Sequence, residues 1–186
     1  MKVTKLYLLI ILFVLSCDKK SILSDKPIIP EPSLPPITME GKNTFGCMVD
    51  GELFVPNDYF QYYYYSWKDN PDFYGTLSLR ASRKKSNEQQ GFLIQLRDRV
   101  FITGKHHLFT NPNTSNYVRM IGYNHQDSLH FFEYTNFAND SNNYLNLMRL
   151  DTISRIASGT FQFQLINPED NADTIKVTEG RFDVRY

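Results

Sequence analysis

The chain has 186 residues, 41% of them hydrophobic and 22% charged, with 20 basic residues against 20 acidic ones. That balance excludes the clustered basic surface that nucleic-acid binding calls for. Two cysteines, Cys17 and Cys47, exclude a disulfide-built scaffold. The chain opens on Met1–Lys5, which carries two lysines and no acid. Leu6–Leu15 is then unbroken apolar sequence, and Ser16-Cys17 follows. A basic, then apolar, then small-residue order is that of a secretory signal. Crossing a bilayer core takes about 20 apolar residues, so this run is too short for a stable transmembrane helix.

The positions Val14, Leu15, Ser16 and Cys17 resemble the lipobox of bacterial lipoproteins. The resemblance implies diacylglycerol on the Cys17 sulfur, cleavage before Cys17 and acylation of the new amino terminus. The expected address is therefore the bacterial cell envelope, lipid-anchored, at the outer membrane. Thiolate nucleophilicity is what makes cysteine the residue that takes the lipid. More than one buried acyl chain makes such anchorage stable. Losing residues 1–16 removes Lys2 and Lys5 and no acid, which leaves 18 bases against 20 acids and a net charge of −2. Cys47, in the strand-like run TFGCMV, is read as a small buried hydrophobe.

Residues 17–42 form the next segment. Pro27, Pro30, Pro32, Pro35 and Pro36 fall here, five of the nine prolines, and no glycine precedes Gly41. Such a stretch builds no core and is expected to act as a semi-extended tether reaching roughly 70 Å in polyproline geometry. Residues 43–186 are then expected to form a single domain.

Within that domain apolar residues recur at a period of two. In GTFQFQLI, Phe161, Phe163 and Leu165 alternate with Thr160, Gln162 and Gln164. RFDVRY alternates Phe182, Val184 and Tyr186 with Arg181, Asp183 and Arg185. This is the signature of half-buried strands. Asp50-Gly51 marks a two-residue hairpin, because a type I′ turn needs positive φ at both central residues. Strands are expected near 43–49, 52–55, 60–67, 73–81, 91–98, 100–108, 117–123, 128–135, 144–151, 157–166 and 173–186, the last bulged at Gly180. The expected fold is all-β, an antiparallel sandwich of about ten short strands, with an up-and-down, lipocalin-like barrel as the alternative.

NTFGCMVDGELFVP (43–56), ITGKHHL (102–108) and GTFQFQLIN…DTIKVTEGRFDVRY (159–186) resemble an uncharacterised family of short Gram-negative lipoproteins. That family is similar in its lipobox, its opening Thr-Phe-x-Cys…Gly…Pro hairpin and its closing Gly-Thr-Phe…Gly-Arg-Phe-Asp strand pair. Phe54 stands where the family's hairpin would carry tryptophan. The resemblance implies no activity.

Candidate chemistry is sparse. YFQYYYYSW (59–67) places Phe60, Tyr62, Tyr64 and Ser66 on one face of a strand and Tyr63, Tyr65 and Trp67 on the other. Tyr63, Tyr65 and Trp67 are the candidate binding residues, since rigid amphipathic rings suit stacking on sugars or anchoring a partner. The competing reading is an ordinary strand, whose preferences favour tyrosine. His106 and His107 are adjacent, so in a strand they point to opposite faces and chelate poorly. His125, Asp127 and His130, with Glu133 nearby, match no zinc spacing, and no metal or cofactor is expected. Ser128 lies in no nucleophile elbow, and Glu169-Asp170 sit in a turn where solvated acids are ordinary. No catalytic residue is assigned and no enzyme is expected. Arg80, Arg83, Lys84 and Lys85 read as a solvated hairpin loop.

The functional expectation is a non-catalytic, lipid-anchored envelope or surface module. Its expected partners are the membrane and a glycan, a peptide or an envelope protein. The alternative is a barrel-type carrier of a small apolar ligand.

Overall fold

A computed structural model of the chain describes residues 32–65, 75–86, 88–98, 101–108, 116–124, 131–135 and 142–186. Among them the strands are β1 (Thr44–Val49), β2 (Glu52–Phe54), β3 (Tyr59–Tyr65), β4 (Gly75–Lys85), β5 (Glu88–Asp98), β6 (Gly104–His107), β7 (Tyr117–Asn124), β8 (Phe131–Thr135), β9 (Tyr144–Asp151), β10 (Ile156–Asn167) and β11 (Asp170–Arg185). All belong to one antiparallel sheet, nine in the order β2-β1-β11-β10-β8-β7-β5-β4-β3, with β9 branching from β10 and β6 pairing with β9. The all-β class follows from the period-two alternation. The sheet is continuous and curls into a half-barrel, so its opposed walls pack as the layers of a sandwich would.

Three local devices shape it. Asp50 and Gly51 take φ of 48° and 82°, which makes the β1–β2 turn of the primed type. The β1 and β10 ladders on β11 both shift register opposite residues 178–180, which places a bulge beside Gly180. Finally, β10 forks the sheet. Its first half pairs with β9, and beyond the split Ile166 pairs with Thr135 of β8. At the fork the Gln164 backbone N–H has no strand partner and donates instead to Asn143 Oδ1 at 2.8 Å.

The concave side holds the core. Phe45, Phe54, Phe92, Phe163 and Phe161 form a closed cycle of ring contacts, with centroids 4.9 to 6.3 Å apart. Leu77, Leu79, Ile94, Leu96, Leu145, Leu147, Leu165, Val177 and Val184 pack round it, all buried. The cycle joins four strands, β1, β2, β5 and β10. Each such ring contributes on the order of 2–3 kcal/mol by burial.

Side chains, with a few backbone hydrogen bonds, bring the two ends of the sheet together. Phe60 packs on Phe45 at 5.5 Å, Tyr64 on Tyr186 at 5.0 Å, and Tyr62 Oη donates to Asn43 Oδ1 at 2.7 Å. Arg83 donates to the Leu53 carbonyl and pairs with Glu52 at 3.2 Å, while Lys85 meets Glu52 at 2.8 Å. The basic run is therefore mostly strand rather than loop. β4 continues to Lys85, and Arg83 and Lys85 fasten it to β2. Charge alone made this segment look solvated, but Glu52 across the gap gives it partners.

The body begins earlier than the tether composition implied, since the compact unit starts at Pro32. Residues 32–43 lie along β1 and β11. The buried carboxylate of Asp183 accepts from Thr38 Oγ1 (2.6 Å) and from the backbone N–H of Glu40 (3.0 Å), Gly41 (2.7 Å) and Lys42 (3.2 Å). Burial pushes this carboxyl up, but the four hydrogen bonds outweigh it and hold it below the usual range. Proline-rich composition signals a stretch that builds no core of its own, yet here it is fixed as a strap on a core built by others.

Candidate functional site

Because β3, β4, β5, β7 and β8 pair in register, their side chains form rows across the sheet. The inward rows are apolar, such as Phe60–Ala81–Phe92–Met120–Tyr134. The outward rows carry the polar residues: Tyr59–Ser82–Gly91–Ile121–Glu133, Gln61–Arg80–Leu93–Arg119–Thr135 and Tyr63–Ser78–Gln95. Only the first two rows surround an open depression. Its volume is about 350 Å³, and its lining includes Tyr59, Arg80, Ser82, Gln89, Gly91, Leu93 and Ile121.

The chemistry of this depression is two-sided. Gly91 has no side chain, so the floor is bare backbone, and a β-carbon there would meet nothing closer than 3.5 Å. Leu93, Ile121 and the Tyr59 ring, the last 39% exposed, give it apolar walls. Polar groups stand along the rim. Asp58 accepts from Ser82 Oγ at 2.9 Å and from Gln89 Nε2 at 2.8 Å, Tyr59 Oη donates to Gln61, and Arg80 is exposed. An amphipathic ring, an amide and a guanidinium thus line the depression, with the Asp58 carboxylate and the Gln61 amide hydrogen-bonded to lining residues from just outside it. They offer stacking and planar hydrogen bonding.

The sequence-predicted residues fall as follows. Tyr63 is half-buried, and its hydroxyl accepts a hydrogen bond from Gln95 Nε2 at 3.3 Å. Its row is covered rather than open: Ser78 and Gln95 are buried, and Ser78 Oγ and Gln95 Oε1 have no hydrogen-bond partner among the described residues. Tyr65 pairs with Thr76 at the end of β3. Trp67 lies outside the described residues, as do Cys17, Ser66, His125, Asp127, Ser128 and His130. Phe60, Tyr62 and Tyr64, the other face of the strand, pack on the core. Among the side chains of this strand that the structure describes, the most exposed aromatic is Tyr59 at its start. An isolated glycine at 91 within an otherwise regular strand was the available signal for the depression, because it marks a place where something approaches backbone closely.

His106 is buried, with Nε2 2.8 Å from the Ile102 carbonyl, while His107 faces out. No group of three or more metal-ligating side chains gathers among the described residues. Cys47 is fully buried and its thiol is pushed up, chiefly by burial, against a smaller opposing pull from Arg83. That is the behaviour of a packed hydrophobe. A second hollow, about 400 Å³, lies at the sheet fork among Asn142, Asn143, Gln162, Gln164, Lys176 and Thr178. Asn143 there completes backbone hydrogen bonds of the split sheet, which is a structural duty.

No protein-family model matches the chain. Nor does any curated protein or solved structure match it. The reading of the site therefore rests on its own geometry.

Proposed function

We propose that the chain is a non-catalytic, lipid-anchored envelope protein, one of the uncharacterised short Gram-negative lipoproteins its motifs resemble. Its outward sheet face binds a saccharide over Gly91. The observation that carries the ligand class is the depression itself. Sugars present an apolar ring face and an edge of hydroxyls. Tyr59, Leu93 and Ile121 answer the first, and Arg80, Gln89 and Asp58 answer the second. The volume lies at the small end of ligand pockets, which fits one or two sugar units at a chain end rather than a peptide. The close packing of Phe45, Phe54, Phe92, Phe161 and Phe163 speaks against a carrier of apolar ligands, because the inward rings occupy the space such a ligand would need.

The test is a display of immobilised oligosaccharides probed with the labelled protein, followed by titration of whichever binds. Tyr59→Ala and Arg80→Ala should each weaken that binding about tenfold or more, as loss of an anchor residue does, with the thermal midpoint unchanged. Binding that survives both substitutions, or no binding to any saccharide, overturns the ligand class.

A further inference from the structure

We propose that the corner of the body formed by the β9–β10 turn and the strap docks on the surface of the lipid bilayer. The inference rests on the lipid-anchored reading above and deepens it by assigning which face meets the membrane. Five large hydrophobic side chains are exposed among the described residues, and three of them, Ile37, Met39 and Ile153, belong to this corner. Ile153 is 94% exposed at the tip of its turn.

The turn that displays it is held firmly. Asp151 Oδ1 accepts from the backbone N–H of Ile153 at 3.0 Å and of Ser154 at 2.8 Å. Arg149 bridges Asp151 Oδ2 at 2.8 Å and the Met39 carbonyl at 2.5 Å. Arg185 bridges the Ser154 carbonyl at 2.9 Å and the Glu40 carbonyl at 3.3 Å. Turn and strap are thus one fixed unit, with arginines between its apolar prongs and the exposed Arg155 beside them. A β-branched apolar residue held in water at a turn tip is unfavourable there, and turns ordinarily place polar residues at such tips. Apolar prongs flanked by basic residues are what an interfacial contact uses: the prongs enter the boundary of headgroups and acyl chains. Arg149 is paired with Asp151 and the exposed Glu40 with Lys42, so Arg155 and Arg185 are the cations that face anionic headgroups.

The length of chain before the strap agrees. Residues 18–31 separate the lipidation candidate from Pro32. Fully extended at about 3.6 Å per step, the path from Cys17 to Pro32 reaches no more than roughly 55 Å. A body tethered that closely meets the bilayer at high effective concentration, so a weak contact suffices to orient it.

The experiment uses the full-length lipidated protein in phosphatidylethanolamine–phosphatidylglycerol vesicles. Ile153→Cys, and separately Ser86→Cys in the β4–β5 turn, are labelled with an environment-sensitive dye. Cys17 is blocked by its lipid and Cys47 by burial. Both substituted positions are exposed, so folding is not at stake. Quencher lipids bearing a nitroxide headgroup should quench the dye at position 153 at least about threefold more strongly than at position 86, since interfacial groups sit within about 5–10 Å of the headgroups. Vesicle-bound protein quenched equally at both positions overturns this inference and leaves the anchor standing. Protein that stays off the vesicles, with Cys17 open to the dye, overturns the anchor reading and this inference with it. A dye at position 153 that is unquenched in vesicles yet shielded in whole envelopes identifies a protein as the occupant, and the lipid proposal falls.

Discussion

The ring of Phe161 lies on Gly180, its cross-strand partner, so closely that a β-carbon on the glycine would come within 2.2 Å of the ring. The same relationship runs the other way between the same strands. Phe182 lies on Gly159, where a β-carbon would come within 2.9 Å of its ring and 2.4 Å of the Asn146 carbonyl. Two Gly-x-Phe segments, 159–161 and 180–182, therefore seat each other's rings. This reciprocal seating lets two phenylalanines occupy the centre of a strongly bent hairpin, where the bulge beside Gly180 turns the strand.

Gly180→Ala should be severely destabilising, because the obstacle is the packed Phe161 ring in the core rather than a flexible side-chain end. Overpacking of this kind costs about 1–3 kcal/mol or more. Phe161→Ala should cost about 3–5 kcal/mol through the cavity it leaves. The double variant should lose clearly less than the sum of the two, since removal of the ring makes room for the methyl. Urea midpoints of the four proteins measure the coupling, and strict additivity would mean that the two residues do not share a site.

Asp183→Asn should loosen the strap. The amide places donors where Thr38 and three backbone N–H groups now donate, and breaking charged hydrogen bonds in a buried site costs about 2–3 kcal/mol. Cleavage at Lys42 in limited trypsin digestion should rise with the substitution. The pH dependence has a definite sign. The folded carboxyl lies below its unfolded value, so its contribution is complete above about pH 4 and is lost as pH falls further. The gap in urea midpoint between the native protein and Asp183→Asn should therefore be wide at pH 7 and narrow at pH 3. An unchanged gap would assign the effect to packing alone.

Tyr134 and Tyr186 should titrate late. Burial, followed by the carboxylate of Asp173 2.7 Å from its hydroxyl, pushes Tyr134 up to about 12, and burial does the same for Tyr186 with help from Tyr64. Both are neutral in the folded protein where unfolded tyrosine ionises, so stability should fall as pH rises from about 10 toward 12. Absorbance at the phenolate band should show a late step, reduced in amplitude in Tyr134→Phe.

Gly91→Val separates binding from folding. Its nearest obstacles, the Ala81 carbonyl at 3.5 Å and Ser82 Cβ at 3.7 Å, are at ordinary contact distances. A β-branched residue suits a strand better than glycine, so stability should hold or rise by about 0.5–1 kcal/mol. Saccharide binding should nevertheless fall sharply, because the new side chain fills the floor. Retained binding in a stable Gly91→Val protein would move the site elsewhere.

Cys17→Ser tests the anchor. Metabolic labelling with an alkyne fatty acid should mark the native protein and not the variant, and the variant should accumulate at its unprocessed mass. Equal labelling of both proteins would place the lipid on another residue or remove it from the account.

The sequence by itself determined what depends on near neighbours. Period-two alternation in GTFQFQLI and RFDVRY set the strands, Asp50-Gly51 set a primed turn, and Gly180 marked the bulge, because each is a local conformational preference read over a few residues. Only the tertiary structure decided which face of YFQYYYY turns inward, since both faces are aromatic and the pattern has no sign. It also decided that Arg83 and Lys85 meet Glu52, that Asp183 fixes residues about 140 positions away, and that Tyr59 stands open over a bare Gly91. Those relationships arise where a curled sheet brings distant strands together. Alternation says that a side chain has two sides to choose from, and only the closed circle of Phe45, Phe54, Phe92, Phe163 and Phe161 says which side is the inside.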